Sequence, residues 1–396
     1  GWAAGIYRNE TNRDRIAVRL IGEGLNTQGI GAKISVLGGP VPTQQTEVTL
    51  GLYLSSSEPL YSFATGEADS VRILVQWVGG EISEVAHAIP NRIYELRESG
   101  ATSAKTSTKD ESEPSASDAA ERPLFTVDEV GIGHNHAERD FDDRQRQPLL
   151  RHRLSQLGPG ITWSDLDRDG DEDLLITTGV GGKMSYYRND RGAFTHVRLA
   201  TADATLDQTA VIPLPDRNGQ TQLLVGQKNY EAARPAAAVS AASVLRFDLP
   251  ESRGAVGQIV PTVSEAVPGE MSSTGPLALA DIDSDGDLDL FVGGRVLPAR
   301  YPAPASSRLF LNDDGRFRID EDNRDLFTGV GLVSSAVFTD VDIDGDPDLV
   351  LALDWGPLKL LINDSGTFSD STAAFGLDAF TSMWNGITAG DLNGDG

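Results

Sequence analysis

The sequence contains no cysteine in its 396 residues. This excludes disulfides, thiolate metal sites, iron–sulfur clusters and cysteine nucleophiles, and it fits a secreted protein stabilised by other means. Basic residues are scarce: 33 Lys and Arg stand against 59 Asp and Glu, a formal net charge of −26 at pH 7. A field of that sign repels phosphate backbones and anionic headgroups, so no nucleic-acid partner and no membrane-surface partner is expected. Nowhere does an apolar run approach the ~18 residues of a membrane span, so no membrane insertion is expected either. No Gly-x-Ser-x-Gly elbow occurs, and no histidine sits beside a nucleophile motif, so no catalytic residue is assigned. Gly1 starts neither a signal peptide nor a natural protein, so the sequence is read as a fragment in which the absence of a leader is uninformative.

What is present reads as an all-β chain of two to three domains at roughly 150 residues each. Residues 15–98 alternate in period two, with Ile16, Val18 and Leu20 in one run and Val71, Ile73, Val75 and Trp77 in another. That period gives each strand one buried face. An all-β domain is expected over residues 11–98. Residues 99–122 carry almost no large apolar side chain; ordering them would cost conformational entropy with little burial in return, so they are expected to be a flexible linker.

Beyond the linker, over residues 123–396, the chain repeats itself. DLDRDGDEDL begins at Asp165, DIDSDGDLDL at Asp281 and DVDIDGDPDL at Asp340, while DLNGDG begins at Asp391 and is cut at Gly396. A degenerate copy, LPDRNGQTQL, starts at Leu214. A second motif travels with the first: YYRNDRGAF, LFLNDDGRF and LLINDSGTF end at Phe194, Phe317 and Phe368. Each joins an apolar strand to a polar turn with glycine, the chemistry of a tight hairpin. Units of ~50–60 residues built from several strands match propeller blades, here an open arc truncated at its C-terminal end. The Ala-rich stretch 232–242 reads as a loop insertion in the degenerate blade, with a short helix as the alternative.

Asp-x-Asp-x-Asp-Gly places carboxylates at alternate positions of a sharply turning loop, which suits calcium, a hard cation that takes 6–8 oxygens. In the first loop Asp165, Asp167, Asp169 and Asp173 are expected to offer side-chain oxygens and Asp171 its carbonyl, with Gly170 allowing the turn. The equivalent sets are Asp281, Asp283, Asp285, Asp287 and Asp289, then Asp340, Asp342, Asp344, Asp346 and Asp348. A cut fourth site retains Asp391, Asn393 and Asp395. Five like charges within nine residues repel unless a cation is present. A helix-flanked calcium loop needs a Glu at position 12. Ile176, Val292 and Leu351 stand there in strand-like runs, so that form is rejected and the ninth aspartate is expected to close each site. One site per blade points to structural rather than catalytic metal.

At these residues the chain resembles the FG-GAP or VCBS repeat family, whose calcium loops also occur in the propeller of integrin α subunits. The first domain resembles the ASPIC/UnbV domain through Leu20-Ile21-Gly22, Gly29-Ile30-Gly31-Ala32, Tyr53-Leu54-Ser55, Phe63 and Val75-Gln76-Trp77. It departs at Ser62, Ala64, Thr65 and Val78, where the family has a histidine, a glycine, a leucine and a proline. The resemblance implies a small β-sandwich-like domain followed by a calcium-binding β-propeller. It also implies that residues 1–10, which contain Gly5-Ile6-Tyr7-Arg8-Asn9-Glu10, end a preceding propeller. The stretch 136–160 is similar to a lead-in segment of bacterial extracellular repeat proteins.

Weaker signals are assigned plain roles. His134, His136, Glu138 and Asp142 read as part of the solvated lead-in rather than a transition-metal site, and Trp77, Trp163, Trp355 and Trp384 read as packing residues. Arg295, Arg300, Arg308 and Lys359 are candidates for anion contact. The expected function is a non-catalytic calcium-binding protein of bacterial type, secreted or at the cell surface, whose propeller loops mediate adhesion to a protein or glycan partner. The alternatives are a lyase-like enzyme acting on polysaccharide and a scaffold joining two propellers.

Overall fold

A computed structural model describes residues 7–9, 13–22, 26–49, 55–57, 60–103, 125–127, 132–215, 221–232, 235–250 and 257–389. The first domain is two sheets facing one core. Arg15–Ile21 pairs antiparallel with Leu60–Ala64 and parallel with Arg92–Arg97. The second sheet holds Lys33–Leu37, Thr43–Glu47, Val71–Gln76, Glu81–Ala88 and Thr102–Ser103. The alternating apolar residues all turn inward: Ile16, Val18, Leu20, Val71, Ile73, Val75 and Trp77 share one buried cluster with Ile34 and Val36. Burying each such aliphatic side chain stabilises the domain by about 1.5–3 kcal/mol. The sandwich runs past the expected boundary at residue 98, because Thr102 pairs with Ile82 and Ser103 with Glu81. Residues 104–122 of the expected linker lie outside the described residues.

Four blades follow, each with four antiparallel strands in sequence order; the first sheet is extended by parallel pairing of Ser55–Ser57 and Gln258–Ile259 at its two edges, and Ser382–Met383 pairs with the second strand of the fourth. The first is Ile161–Ser164, Asp173–Ile176, Ser185–Asp190 and Ala193–Leu199. The second, from the degenerate repeat, is Asp207–Pro215, Thr221–Lys228, Val244–Asp248 and Thr262–Val267. The third is Ser273–Ala280, Asp289–Val296, Arg308–Asp313 and Arg316–Ile319; the fourth is Leu332–Thr339, Asp348–Gly356, Lys359–Asp364 and Thr367–Asp370. The inner two strands of the third blade are buried throughout, on both faces. That pattern follows from stacking: Leu277, Leu290 and Val292 pack toward Ile212 and Leu224 of the second blade, while Ala278, Phe291 and Leu309 pack toward Ala336, Leu349 and Leu351 of the fourth.

Residues 7–9 form a strand. Tyr7–Asn9 pairs antiparallel with Phe125–Val127, Asn9 opposite Phe125. The same Asn–Phe register closes three blade hairpins, in Asn189–Phe194, Asn312–Phe317 and Asn363–Phe368. The first domain therefore sits inside the turn of a blade-type hairpin. It also touches the blades directly: Ile30 joins the buried cluster of Ile212, Leu277 and Leu279, and the Thr339 hydroxyl donates to the Glu47 carboxylate. Between them lies a cavity of about 540 Å³, lined by Lys33, Glu47 and Trp77 on one side and Asp281, Asp340 and Asp344 on the other.

Of the two forms open to the Ala-rich stretch the short helix is found, over Pro235–Ser240, as alanine's helix propensity favours. One smaller expectation is corrected. Trp355 is 52% exposed at φ 58°, so it is not a packing residue; its indole nitrogen donates to the Tyr301 hydroxyl at 2.5 Å.

Candidate metal centres

Each full aspartate loop joins the first and second strands of its blade, and its shape is held by the aspartates themselves. The first aspartate accepts from two backbone amides. Asp165 takes those of Asp169 and Gly170 at 3.0 Å each, Asp281 those of Asp285 and Gly286 at 3.1 and 3.0 Å, and Asp340 those of Asp344 and Gly345 at 3.1 and 3.3 Å. The fifth aspartate then accepts from the seventh amide, at 3.0, 2.8 and 2.9 Å in the three loops. The backbone is left-handed at position six, with φ 99°, 92° and 101° at Gly170, Gly286 and Gly345, where an L side chain would be strained.

The loop brings carboxylates together as the alternation requires. One oxygen from each of Asp165, Asp167 and Asp173 lies within 4.8 Å of the others, as does one from each of Asp281, Asp283 and Asp285, and of Asp340, Asp342 and Asp344. Asp167 Oδ2 and Asp283 Oδ1 are buried without a hydrogen-bond partner. Burial, then neighbouring negative charge, pushes the Asp167, Asp283 and Asp342 carboxyls above their ordinary value. Orphaned acceptors in a cluster of one sign fit a hard cation, and the donor set is oxygen alone.

The ninth aspartate differs from the expectation. Its carboxylate is buried and engaged at both oxygens. Asp173 accepts from the amides of Leu166 and Asn189 at 3.0 and 2.8 Å, Asp289 from Ile282 and Asn312 at 3.0 and 2.8 Å, and Asp348 from Val341 and Asn363 at 2.7 and 2.8 Å. Only in the first loop does it join the converging set. In the other two it is a keystone between loop and hairpin.

The seventh aspartate reaches the hairpin as well. The side chains of Asp171, Asp287 and Asp346 accept from the turn amides of Arg191, Asp314 and Ser365 at 3.0, 2.8 and 2.7 Å. This leaves its carbonyl for a metal. Each turn has two positive-φ residues, Arg191-Gly192, Asp314-Gly315 and Ser365-Gly366. That is the backbone a two-residue hairpin favours. The hairpin asparagine spans the two motifs: Asn312 Nδ2 donates to Leu288 O at 3.0 Å, and its Oδ1 accepts from Gly315 at 2.9 Å. Sequence reasoning missed this coupling; its signal is that loop and hairpin always occur together. Asn312→Ala is expected to lose about 2 kcal/mol from two broken hydrogen bonds, read as a lowered urea midpoint. An unchanged midpoint would mean that the two motifs are not coupled.

Asp391, Asn393 and Asp395 of the cut fourth loop lie outside the described residues. Three of the four expected anion contacts have partners within the chain. Arg295 Nη2 pairs with buried Asp354 at 2.7 Å, Arg308 donates to Pro268 O and Ser243 Oγ at 2.9 and 2.7 Å, and Lys359 pairs with Asp370. In the lead-in segment, His134 Nδ1 lies 3.1 Å from the Tyr187 hydroxyl of the first blade.

Residues 22–103 match the family described as ASPIC and UnbV, and residues 340–396 match the FG-GAP-like repeat. No curated protein matches the chain. Among solved structures, one titled as the basis of specific recognition of non-reducing terminal N-acetylglucosamine by an Agrocybe aegerita lectin matches at 11% identity. It covers 90% of this chain and 92% of that one at a TM-score of 0.30, too loose to equate the folds. The chain thus carries an ASPIC/UnbV domain and an FG-GAP-like repeat, and the loop and hairpin geometry of the matched 340–396 segment recurs in the blades that begin at Ile161 and Ser273.

Proposed function

We propose that the chain is a non-catalytic binding module of the cell exterior, in which calcium clamps the blades and the propeller loops engage a protein or glycan. The observation that carries this reading is the convergence of three carboxylates in each of three loops, with buried oxygens left unpartnered in two of them. Asp165, Asp167, Asp169 and Asp173 would hold the first ion, Asp281, Asp283 and Asp285 the second, and Asp340, Asp342 and Asp344 the third. The carbonyls of Asp171, Asp287 and Asp346 would complete each shell. Bound calcium would supply positive charge that offsets the repulsion within each loop. Sites of this kind fill at the millimolar calcium found outside cells, which supports the location. The internal pairing of Arg295, Arg308 and Lys359 supports binding over lyase chemistry, since those cations are engaged by the chain's own groups.

The test is a glycan array and a protein pull-down with the full chain, each with calcium and with chelator, beside a polysaccharide lyase assay. Calcium-dependent capture without chain cleavage is expected. Unsaturated sugar ends in the product would overturn the non-catalytic reading, and capture undiminished by chelator would overturn the calcium clamp.

A further inference from the structure

A second acidic cluster lies outside the aspartate loops. Asp207 begins the first strand of the second blade and pairs in register with Lys228, the last residue of the next strand; the connecting turn is at the other end, ~30 Å away along a nine-residue strand. Glu231 follows that second strand, and Glu138 arrives from the lead-in segment. One carboxylate oxygen from each of Glu138, Asp207 and Glu231 lies within 4.8 Å of the others. The approach is close: a Cβ at Gly179 would stand 2.7 Å from Ala137 O and 2.8 Å from Glu138 Oε1.

Asp207 and Glu231 are only 3% and 8% exposed. Asp207 is oriented from both sides, its Oδ1 accepting from Val180 N at 2.9 Å and its Oδ2 lying 3.3 Å from Lys228 Nζ. Lys228 Nζ also donates to Ser155 O at 2.6 Å. Glu231 Oε2 accepts from Arg139 Nη2 at 2.5 Å, but Glu231 Oε1 is buried with no hydrogen-bond partner. The same is true of both ring nitrogens of His136, whose Nε2 lies 3.6 Å from Glu138 Oε2. Three carboxylates thus face two cations, and an orphaned carboxylate oxygen and an imidazole stand beside them. A buried acceptor without a partner costs about 1–3 kcal/mol. A divalent ion would remove that cost.

We propose that Glu138, Asp207, Glu231 and His136 bind one divalent transition-metal ion of the zinc class, tying the lead-in segment to the second blade. Imidazole nitrogen with carboxylate oxygen is the donor set of such an ion, whereas calcium takes oxygen alone. The site is independent of the aspartate loops in residues and in ion.

The test is equilibrium dialysis of the full chain against zinc in millimolar calcium, which keeps the loops from taking zinc. One zinc per chain is expected to be retained. Glu231→Gln and His136→Ala are each expected to weaken retention by about tenfold or more, while Asp285→Ala and His87→Ala leave it unchanged. His136 is partly exposed, so His136→Ala keeps the test decisive if Glu231→Gln disturbs folding. Cobalt substituted for zinc is expected to show visible absorption that shifts in His136→Ala. Absence of retained zinc in the unaltered chain, equal retention by both site variants, or loss in His87→Ala would overturn the assignment.

Discussion

Chelating calcium is expected to lower the melting temperature of the propeller by about 10 °C while leaving the transition of the first domain almost in place. With free calcium about tenfold above its dissociation constant, each site contributes about 1.4 kcal/mol, and three contribute about 4. In a structure of this size each kcal/mol moves the melting temperature by about 2–4 °C. The first domain has its own buried cluster, built on Ile16, Ile34, Ile73 and Trp77, with no aspartate loop in it. Scanning calorimetry with calcium and with chelator reads both transitions. Superimposable scans would reject a structural metal.

The pH dependence of that drop has a definite sign. Burial is the largest cause that pushes Asp289 up to about 8, Asp173 to about 7, and Asp281 and Asp348 to about 6, from an ordinary 3.8. A carboxyl whose folded value is raised favours the fold when protonated. Without calcium its contribution is fully present below about pH 4 and is lost as pH rises through 6 to 8. Calcium would bind Asp173 and Asp281 in the ionised form and, from the same loops, offset the charge of ionised Asp289 and Asp348, so loading it should offset that loss. The chelator-induced drop is therefore expected to be larger at pH 8 than at pH 5; a drop equal at the two values, or larger at pH 5, would mean that these carboxyls are not what calcium relieves.

The loops and hairpins were legible because each is local: alternate aspartates and a glycine can only form a turn, and Asn-Asp-x-Gly can only close a hairpin. The period-two runs of Val18 and Ile73 were legible for the same reason. What escaped reading joins residues far apart in sequence. Nothing local to Asp287 says that its side chain caps the turn at Asp314, and nothing local to Asn9 says that its hairpin partner is Phe125. Glu231 gave no motif at all, since its neighbours Glu138 and Asp207 come from other segments. Trp355 was misjudged because apolar bulk is read as burial, whereas a bulge between Asp354 and Gly356 turns it outward.

Asp289→Ala should cost far more stability than Asp285→Ala, and only the cost of Asp285→Ala should depend on calcium. Asp289 is 1% exposed and holds two backbone amides, those of Ile282 and Asn312. Its removal strands both donors in the interior at about 1–3 kcal/mol each, a loss of about 4 kcal/mol that persists in chelator. Asp285 is exposed, accepts from the amide of Asp287, and adds negative charge beside Asp281 and Asp283. Without metal its removal relieves repulsion and exposes one amide to water, two small effects of opposite sign. With calcium it deletes a ligand and about 1 kcal/mol of linked stability. Urea midpoints of both variants, with and without chelator, measure these four quantities. If Asp289→Ala were as mild as Asp285→Ala, the ninth aspartate would be an ordinary ligand rather than the peg between loop and hairpin. If Asp285→Ala destabilised equally in chelator, the alternate carboxylates would serve the bare fold and need no ion.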